Sequence, residues 1–356
     1  MAAAPPEDGR LRFQLLSDIH LEMRQGAGFA VPPRRAPYLA LLGDIGAGYD
    51  VPGTATTCYD HLVAFVEACC GVFAQVWYVM GNHERYGKSL AEARSVLQAV
   101  ERRLGRGKFA LLDRSSVDVP GTPFRVLGCT LWTGVPEASK AECEMCLNDM
   151  RGAIGDVTTA KYHAMHAADV VWLAAELGRC SGGGDGGDAM KIAVVLTHHA
   201  PTLRRCYPPT AEAFHGAVVL GINGTQLIDV AGDAPDESWH KFVQNKPRSA
   251  SDGATGGGFF SRGKPAPPPP PAAAPLAQFS RARQPSLAVW AYGHTHWNMN
   301  EVQGGVRLVT NQVGYPYPRD PNLNEDRHPG HVRADPGMVV RVFPDGASDV
   351  LPSAPA

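Results

Sequence analysis

The residues best suited to chemistry stand in five short polar groups, each directly behind an apolar run. They are Ser17-Asp18-Ile19-His20, Gly43-Asp44-Ile45-Gly46, Gly81-Asn82-His83-Glu84, Thr197-His198-His199-Ala200-Pro201 and Gly293-His294-Thr295-His296. Carboxylate, imidazole and amide oxygen are ligands of first-row divalent metals. No thiolate lies among them, so the pattern points to Mn, Fe or Zn in a working site rather than to a structural zinc knot. One ion takes about four protein ligands or fewer. Asp18, His20, Asp44, Asn82, His198, His294 and His296 therefore suffice for two ions if Asp44 is shared. In Asp-x-His and His-x-His, alternate residues of an extended backbone point the same way and can converge on one site. Gly43, Gly81 and Gly293 permit tight backbone where chains crowd the ions.

The elements that must position these groups follow from apolar patterning. Leu11 to Ser17, Tyr38 to Leu42, Val76 to Met80, Phe124 to Leu131, Ile192 to Thr197, Leu287 to Tyr292 and Val306 to Thr310 have strand length and composition, with a last short strand at Met338 to Phe343. Ala55 to Cys70, Ser89 to Leu104, Ala138 to Met150 and Thr158 to Leu177 have helix length and spacing. Strands separated by helices imply a layered α/β domain, in which loops leaving the C-terminal strand ends gather into a ligand crevice.

The chain has 356 residues, 44% of them hydrophobic and 19% charged, and Lys+Arg 33 against Asp+Glu 35 leave a formal net charge of −2. That balance gives no basic excess for a dedicated nucleic-acid or anionic-membrane surface. No run approaches the roughly 18 to 20 apolar residues of a membrane span. Scattered cysteines without a secretion signal read as reduced thiols, and a cytoplasmic setting is expected. The division expected is a disordered tail over 1–10, a domain over 11–343 and a second tail over 344–356. Within the domain, a Gly-, Ser- and Pro-rich insertion runs from about Lys246 to Gln284. Its Pro run could recruit an SH3- or WW-type partner, but a passive linker is the favoured reading.

In this order the groups resemble the calcineurin-like metallophosphoesterase superfamily, whose signature runs Asp-x-His, Gly-Asp, Gly-Asn-His-Asp/Glu, His, Gly-His-x-His. The resemblance implies an α/β, four-layer αββα sandwich with a dinuclear metal site at the C-terminal ends of the strands. It assigns Asp18, His20, Asp44 and His296 to one ion and Asp44, Asn82, His198 and His294 to the other. Met80 before Gly81, and no Arg after Asp44, set the chain outside the protein Ser/Thr phosphatase branch. One departure stands out: many members continue as Gly-Asp-x-x-Asp, the second Asp orienting the His of the third motif, whereas position 47 here is Ala47. His83 must then be oriented by another group, with Glu84 or a backbone carbonyl as candidates, or its proton affinity differs from that of relatives with the full motif.

The function expected is hydrolysis of small phosphate monoesters or diesters by a metal-bridging hydroxide, with His83 as the catalytic group that protonates the leaving alkoxide or clamps a phosphate oxygen. Alternatives are a cyclic-nucleotide phosphodiesterase and a non-catalytic scaffold of the same fold. Remaining residues get bland readings. His61, His163, His215, His240, His328 and His331 are surface or core histidines, His163 and His166 share a solvated helix face, and Cys143-x-x-Cys146 packs. His199 lines the site at most. The segment Trp132 to Arg151 either folds over the metals or packs on the sheet's flank. Tyr315 and Tyr317 either touch a leaving group or form a rigid turn.

Overall fold

The structure is a computed structural model that describes residues 8–24, 28–48, 58–135, 140–182, 189–206, 224–229, 279–316 and 332–353. Two six-stranded sheets face each other. The first has the order β12-β11-β1-β2-β3-β4, with β1 Leu11–Leu16, β2 Tyr38–Leu42, β3 Gln75–Val79, β4 Phe109–Leu111, β11 Val339–Val342 and β12 Ser348–Leu351. The second runs β5-β6-β7-β8-β10-β9, with β5 Ser115–Asp118, β6 Phe124–Cys129, β7 Ile192–Thr197, β8 Leu287–Tyr292, β9 Asn300–Gln303 and β10 Val306–Thr310. β1 to β4 run parallel, as do β6, β7, β8 and β10; antiparallel β11 and β12 finish one edge of the first sheet, and antiparallel β5 and β9 both edges of the second.

Central strands read as continuous apolar runs because both their faces are buried. Along β2, Tyr38, Ala40 and Leu42 point between the sheets, while Leu39 and Leu41 point outward to helices α1 (Cys58–Val72) and α2 (Leu90–Leu104). Along β7, Ile192, Val194 and Leu196 meet the other sheet, while Ala193 and Val195 lie under α4 (Thr159–Cys180). The result is the four-layer αββα sandwich. Its inter-sheet core is anchored by Trp77, stacked on Tyr38 at 4.8 Å with Phe13 tilted against it at 5.8 Å. Truncating such a side chain costs about 3–5 kcal/mol. α2 starts at a capping box in which Ser89 and Glu92 satisfy each other's backbone N–H groups.

Several expected boundaries are corrected. The C-terminal tail is not a tail from 344 on, because β12 pairs with β11. Arg10, at the end of the expected N-terminal tail, has its guanidinium 4.7 Å from the Phe343 ring centre, and residues 1–7 lie outside the described residues. Residues 246–278 of the expected insertion lie outside the described residues, but Phe279 is fully buried and pairs with Ile228, so its expected end at Gln284 is too late. α3 covers only Lys140–Cys146 and passes into a wider turn over Asp149–Ala153, which Gly152 leaves at φ 94°. Among the described residues no helix is long and apolar enough to cross a membrane.

Candidate metal centre

Each polar group leaves the C-terminal end of its strand, and backbone bonds tie the exits together. Asp18 N–H donates to the Gly43 carbonyl (3.0 Å), His20 N–H to that of Asp44 (2.9 Å) and Gly293 N–H to that of His198 (2.9 Å). Convergence does not come from strand alternation, as the spacing suggested. Asp18, His20, Asp44, His294 and His296 have φ of 54°, 52°, 51°, 72° and 51°, so the chain turns left-handed at five candidate ligands. Each such non-glycine residue costs of order 1–3 kcal/mol and persists only where its surroundings dictate it. A Cβ at Gly81 would overlap the Asp44 carboxylate, which is why glycine stands there.

All seven candidate ligands meet. His20 Nε2 lies 3.0 Å from His296 Nε2 and 3.9 Å from Asp44 Oδ2, and His296 Nε2 lies 3.5 Å from Asp18 Oδ1. On the other side His198 Nε2 is 3.0 Å from Asn82 Oδ1, 3.4 Å from Asp44 Oδ1 and 3.2 Å from His294 Nδ1. Donors about 2.0–2.1 Å from a common ion stand about 3.0 Å apart at right angles and about 3.4 Å apart at tetrahedral angles. The measured separations fall largely in that interval.

Protons decide whether these contacts are ordinary hydrogen bonds. His198 Nδ1 faces the Leu42 carbonyl (2.8 Å), which can only accept, so in the neutral ring Nε2 is a bare lone pair. It points at the Asn82 oxygen and the Asp44 carboxylate, both acceptors. The Asn82 amide is fixed in that sense because its Nδ2 donates to Asp149 Oδ1 and the Tyr86 hydroxyl, each at 3.0 Å. His20 Nδ1 likewise faces a carboxylate, Glu22 Oε1, at 2.9 Å, which turns its Nε2 lone pair towards His296. Asp18 and Asp44 are buried with only histidines as charge partners among the described residues. A buried cluster of facing acceptors is satisfied by positive charge. The donor set thus fits divalent cations.

In the absence of an ion, protons and charge pairing hold the cluster. Burial disfavours the Asp44 carboxylate, but His198, His83 and His20 hold it well below the usual range. Burial also opposes an imidazolium at His198, yet Asp44 outweighs it and raises that ring to about 9. Burial, reinforced by His198, drops His294 to about 3. His83, partly buried, is pulled down by burial and up by Asp44 and Glu22, and the upward pull wins.

His83 donates its backbone N–H to Asp44 Oδ1 (2.9 Å), and its Nδ1 meets Glu22 Oε1 at 3.0 Å. The expectation that Glu84 or a backbone carbonyl orients His83 is therefore corrected. Glu84 is fully buried and spent on other groups: it accepts from the backbone N–H of Asp44 (3.0 Å), Ile45 (2.8 Å) and Gly81 (2.7 Å) and from the Tyr78 hydroxyl (2.6 Å). Tyr315 stands at the site, its hydroxyl 3.3 Å from His83 Nε2 and its ring 4.3 Å and 4.6 Å from those of His20 and His296. Tyr317 lies outside the described residues. His199 stacks on His294 at 4.0 Å, takes Thr133 Oγ1 at 2.8 Å on Nδ1, and leaves Nε2 buried without a hydrogen-bond partner.

The described part of the segment Trp132 to Arg151 packs beside the site and delivers Asp149, which the sequence did not mark as a support. Glu22 was missed as well, although Asp18-x-His20-x-Glu22 continues the alternation. His166 is not on a solvated face: it is buried and bonded to the Trp132 carbonyl. His61 is exposed, while His215, His240, His328 and His331 lie outside the described residues. The six cysteines whose side chains are described are buried, Cys143 among them.

No family profile matches the chain. It is 20% identical over 331 residues, 87% of its length and 92% of the other's, to the uncharacterized protein L509 of Acanthamoeba polyphaga mimivirus. Among solved structures it is similar to the phosphopantetheinyl hydrolase PptH of Mycobacterium tuberculosis, with TM-score 0.49 and 16% identity, covering 88% of this chain and 95% of that one. It is also similar to a Staphylococcus aureus putative 5′-nucleotidase in complex with alpha-ketoglutarate, with TM-score 0.39 and 12% identity, covering 98% and 55%. The resemblance to the calcineurin-like metallophosphoesterase superfamily is carried by the order of the sequence motifs, and the seven residues those motifs named meet at one end of the sandwich.

Proposed function

We propose that this chain is a phosphoesterase that works with two divalent cations, one held by Asp18, His20, Asp44 and His296, the other by Asp44, Asn82, His198 and His294. The observation that carries the reading is the convergence of buried donor atoms from both sheets: His198 Nε2 lies 3.0 and 3.4 Å from the Asn82 and Asp44 oxygens, and His20 Nε2 lies 3.0 Å from His296 Nε2. When bound, such a pair of ions supplies an activated water at neutral pH and charge for the phosphate oxygens. The chain's own residues do the rest. His83 presents Nε2 beside the shared Asp44, 3.9 Å from Oδ2. As the bond from phosphorus to the leaving oxygen breaks and its electron pair moves to that oxygen, the His83 proton goes with it. Asp44 and Glu22 favour the protonated ring needed for this step.

Metal analysis of purified protein, with p-nitrophenyl phosphate, bis-p-nitrophenyl phosphate and 2′,3′- and 3′,5′-cyclic nucleotides under Mn, Zn and Fe, tests the reading. The expected result is metal bound near two per chain and turnover of one ester class, which also assigns monoester or diester preference. Loaded protein that leaves every phosphoester intact would reject it.

A further inference from the structure

The structure assigns to Glu22 the positioning of His83: through one carboxylate oxygen it replaces the absent carboxylate of position 47 and fixes which ring nitrogen faces the substrate. This inference rests on the phosphoesterase reading for its kinetic consequence but not for its geometry. Glu22 Oε1 lies 2.9 Å from His20 Nδ1 and 3.0 Å from His83 Nδ1. A carboxylate oxygen of an ionised group only accepts, so both Nδ1 atoms carry hydrogen in the neutral rings. The same oxygen thereby leaves His20 Nε2 bare towards the cluster and makes Nε2 the working nitrogen of His83.

No other described carboxylate is placed to do this. Glu84 is committed to backbone N–H groups and Tyr78, and Ala47 sits in an apolar cluster with Tyr86, Trp132 and Val135. Glu22 in turn is committed to the two rings. Its side chain is 6% exposed, its hydrogen-bond partners are the two imidazoles, and its second oxygen is buried without one. Stacking on Tyr86, with centroids at 4.2 Å and planes at 30°, restrains the plane of the His83 ring but not which nitrogen carries the hydrogen. The carboxylate reaches His83 from the turn after the first motif, where Leu21–Met23 form one turn of tight helix, and not from the second motif.

The test compares wild type, Glu22→Gln, His83→Ala and the double variant, all zinc-loaded. Phenyl phosphate has a poor leaving group and p-nitrophenyl phosphate a good one. Glu22→Gln is expected to lower kcat on phenyl phosphate by about 10- to 100-fold and on p-nitrophenyl phosphate by much less. With each protein at a zinc concentration that gives equal loading, KM should stay within about twofold, and the double variant should be no slower than His83→Ala. Nitrogen-15 NMR of histidine-labelled protein, at a pH where His83 is neutral, should show hydrogen on Nδ1 in wild type and a tautomer mixture in Glu22→Gln. Losses that multiply in the double variant, a loss that vanishes at equal zinc loading, or an unchanged tautomer would overturn the assignment. If Glu22→Gln does not fold, the wild-type spectrum decides, and a bare His83 Nδ1 there overturns it. Wild type inactive on both esters and on bis-p-nitrophenyl phosphate would sink the phosphoesterase reading, while the two spectra would still settle the role of Glu22.

Discussion

Asn82 shows how much a single amide depends on what stands behind it. Its oxygen is presented to the cluster because Asp149 Oδ1 takes its nitrogen at 3.0 Å, and Asp149 is held in turn by Tyr86 (2.6 Å) and Tyr162 (3.3 Å). Groups that orient a ligand typically matter by 10- to 100-fold in metal affinity. Asp149→Ala is accordingly expected to weaken the ion assigned to Asn82 by about that factor and leave the other unchanged, as read by competitive metal titration. Asp44→Asn should behave differently, because both oxygens face the cluster, Oδ1 towards His198 and Oδ2 towards His20. Loss of both ions is the expected outcome, and retention of one at full occupancy would show that Asp44 is not shared. The candidate ligands were legible because chemistry restricts them to a few residue types at strand ends. Glu22 and Asp149 were not, since an acid that steers another side chain has no signature until the partner arrives from a distant segment.

At the scale of elements, helix α4 carries an ionisable group on its core face. Tyr162, Val170, Leu173, Leu177 and Cys180 are buried, and so is Asp169, which Arg114 meets at 2.8 Å. Burial drives this carboxyl up to about 6 against the pull of Arg114. Between its ordinary 3.8 and about 6 the folded chain binds this proton more tightly than the unfolded one. The resulting stabilisation is fully present below about pH 4 and is lost as the pH rises through 6, an amount of up to roughly 3 kcal/mol. Asp169→Asn cannot titrate. Its stability relative to wild type should rise by about that amount from pH 4 to pH 7 in urea unfolding, and parallel curves would exclude the effect. The long buried strands and α1, α2 and α4 were readable from apolar runs and caps. β5, β9 and β12 were not, because they are four-residue edge strands with largely polar or exposed positions. β4 has three residues, too few for any period to show. The left-handed turns at the ligands were hidden too, since Asp and His are not residues that announce positive φ as glycine does.

The molecule as a whole closes the site only when both sheets are in place. Asp18, Asp44 and Asn82 leave strands of the first sheet, while His198, His294 and His296 leave strands of the second, and Ser17 and Gln312 bridge the two at the same end. Neither sheet alone offers a complete donor set, so cations bound there stabilise the packed sandwich rather than one half of it. Without cations the fold must hold buried carboxylates, facing lone pairs and left-handed ligand backbone unaided. A ligand that binds only the native state adds about 2.7 kcal/mol at a hundred times its Kd, so two ions at that level add about 5 kcal/mol. At roughly 2–4 °C per kcal/mol for a large domain, chelation should lower Tm by about 10–20 °C. Calorimetry on chelated and reloaded protein checks this. Mn or Zn should restore the lost degrees, whereas Mg, which favours oxygen-rich octahedral sites, should restore few of them. An unchanged Tm after verified metal removal would mean that protons satisfy the emptied cluster as well as the cations do, and the stabilising role assigned to the cations would fall.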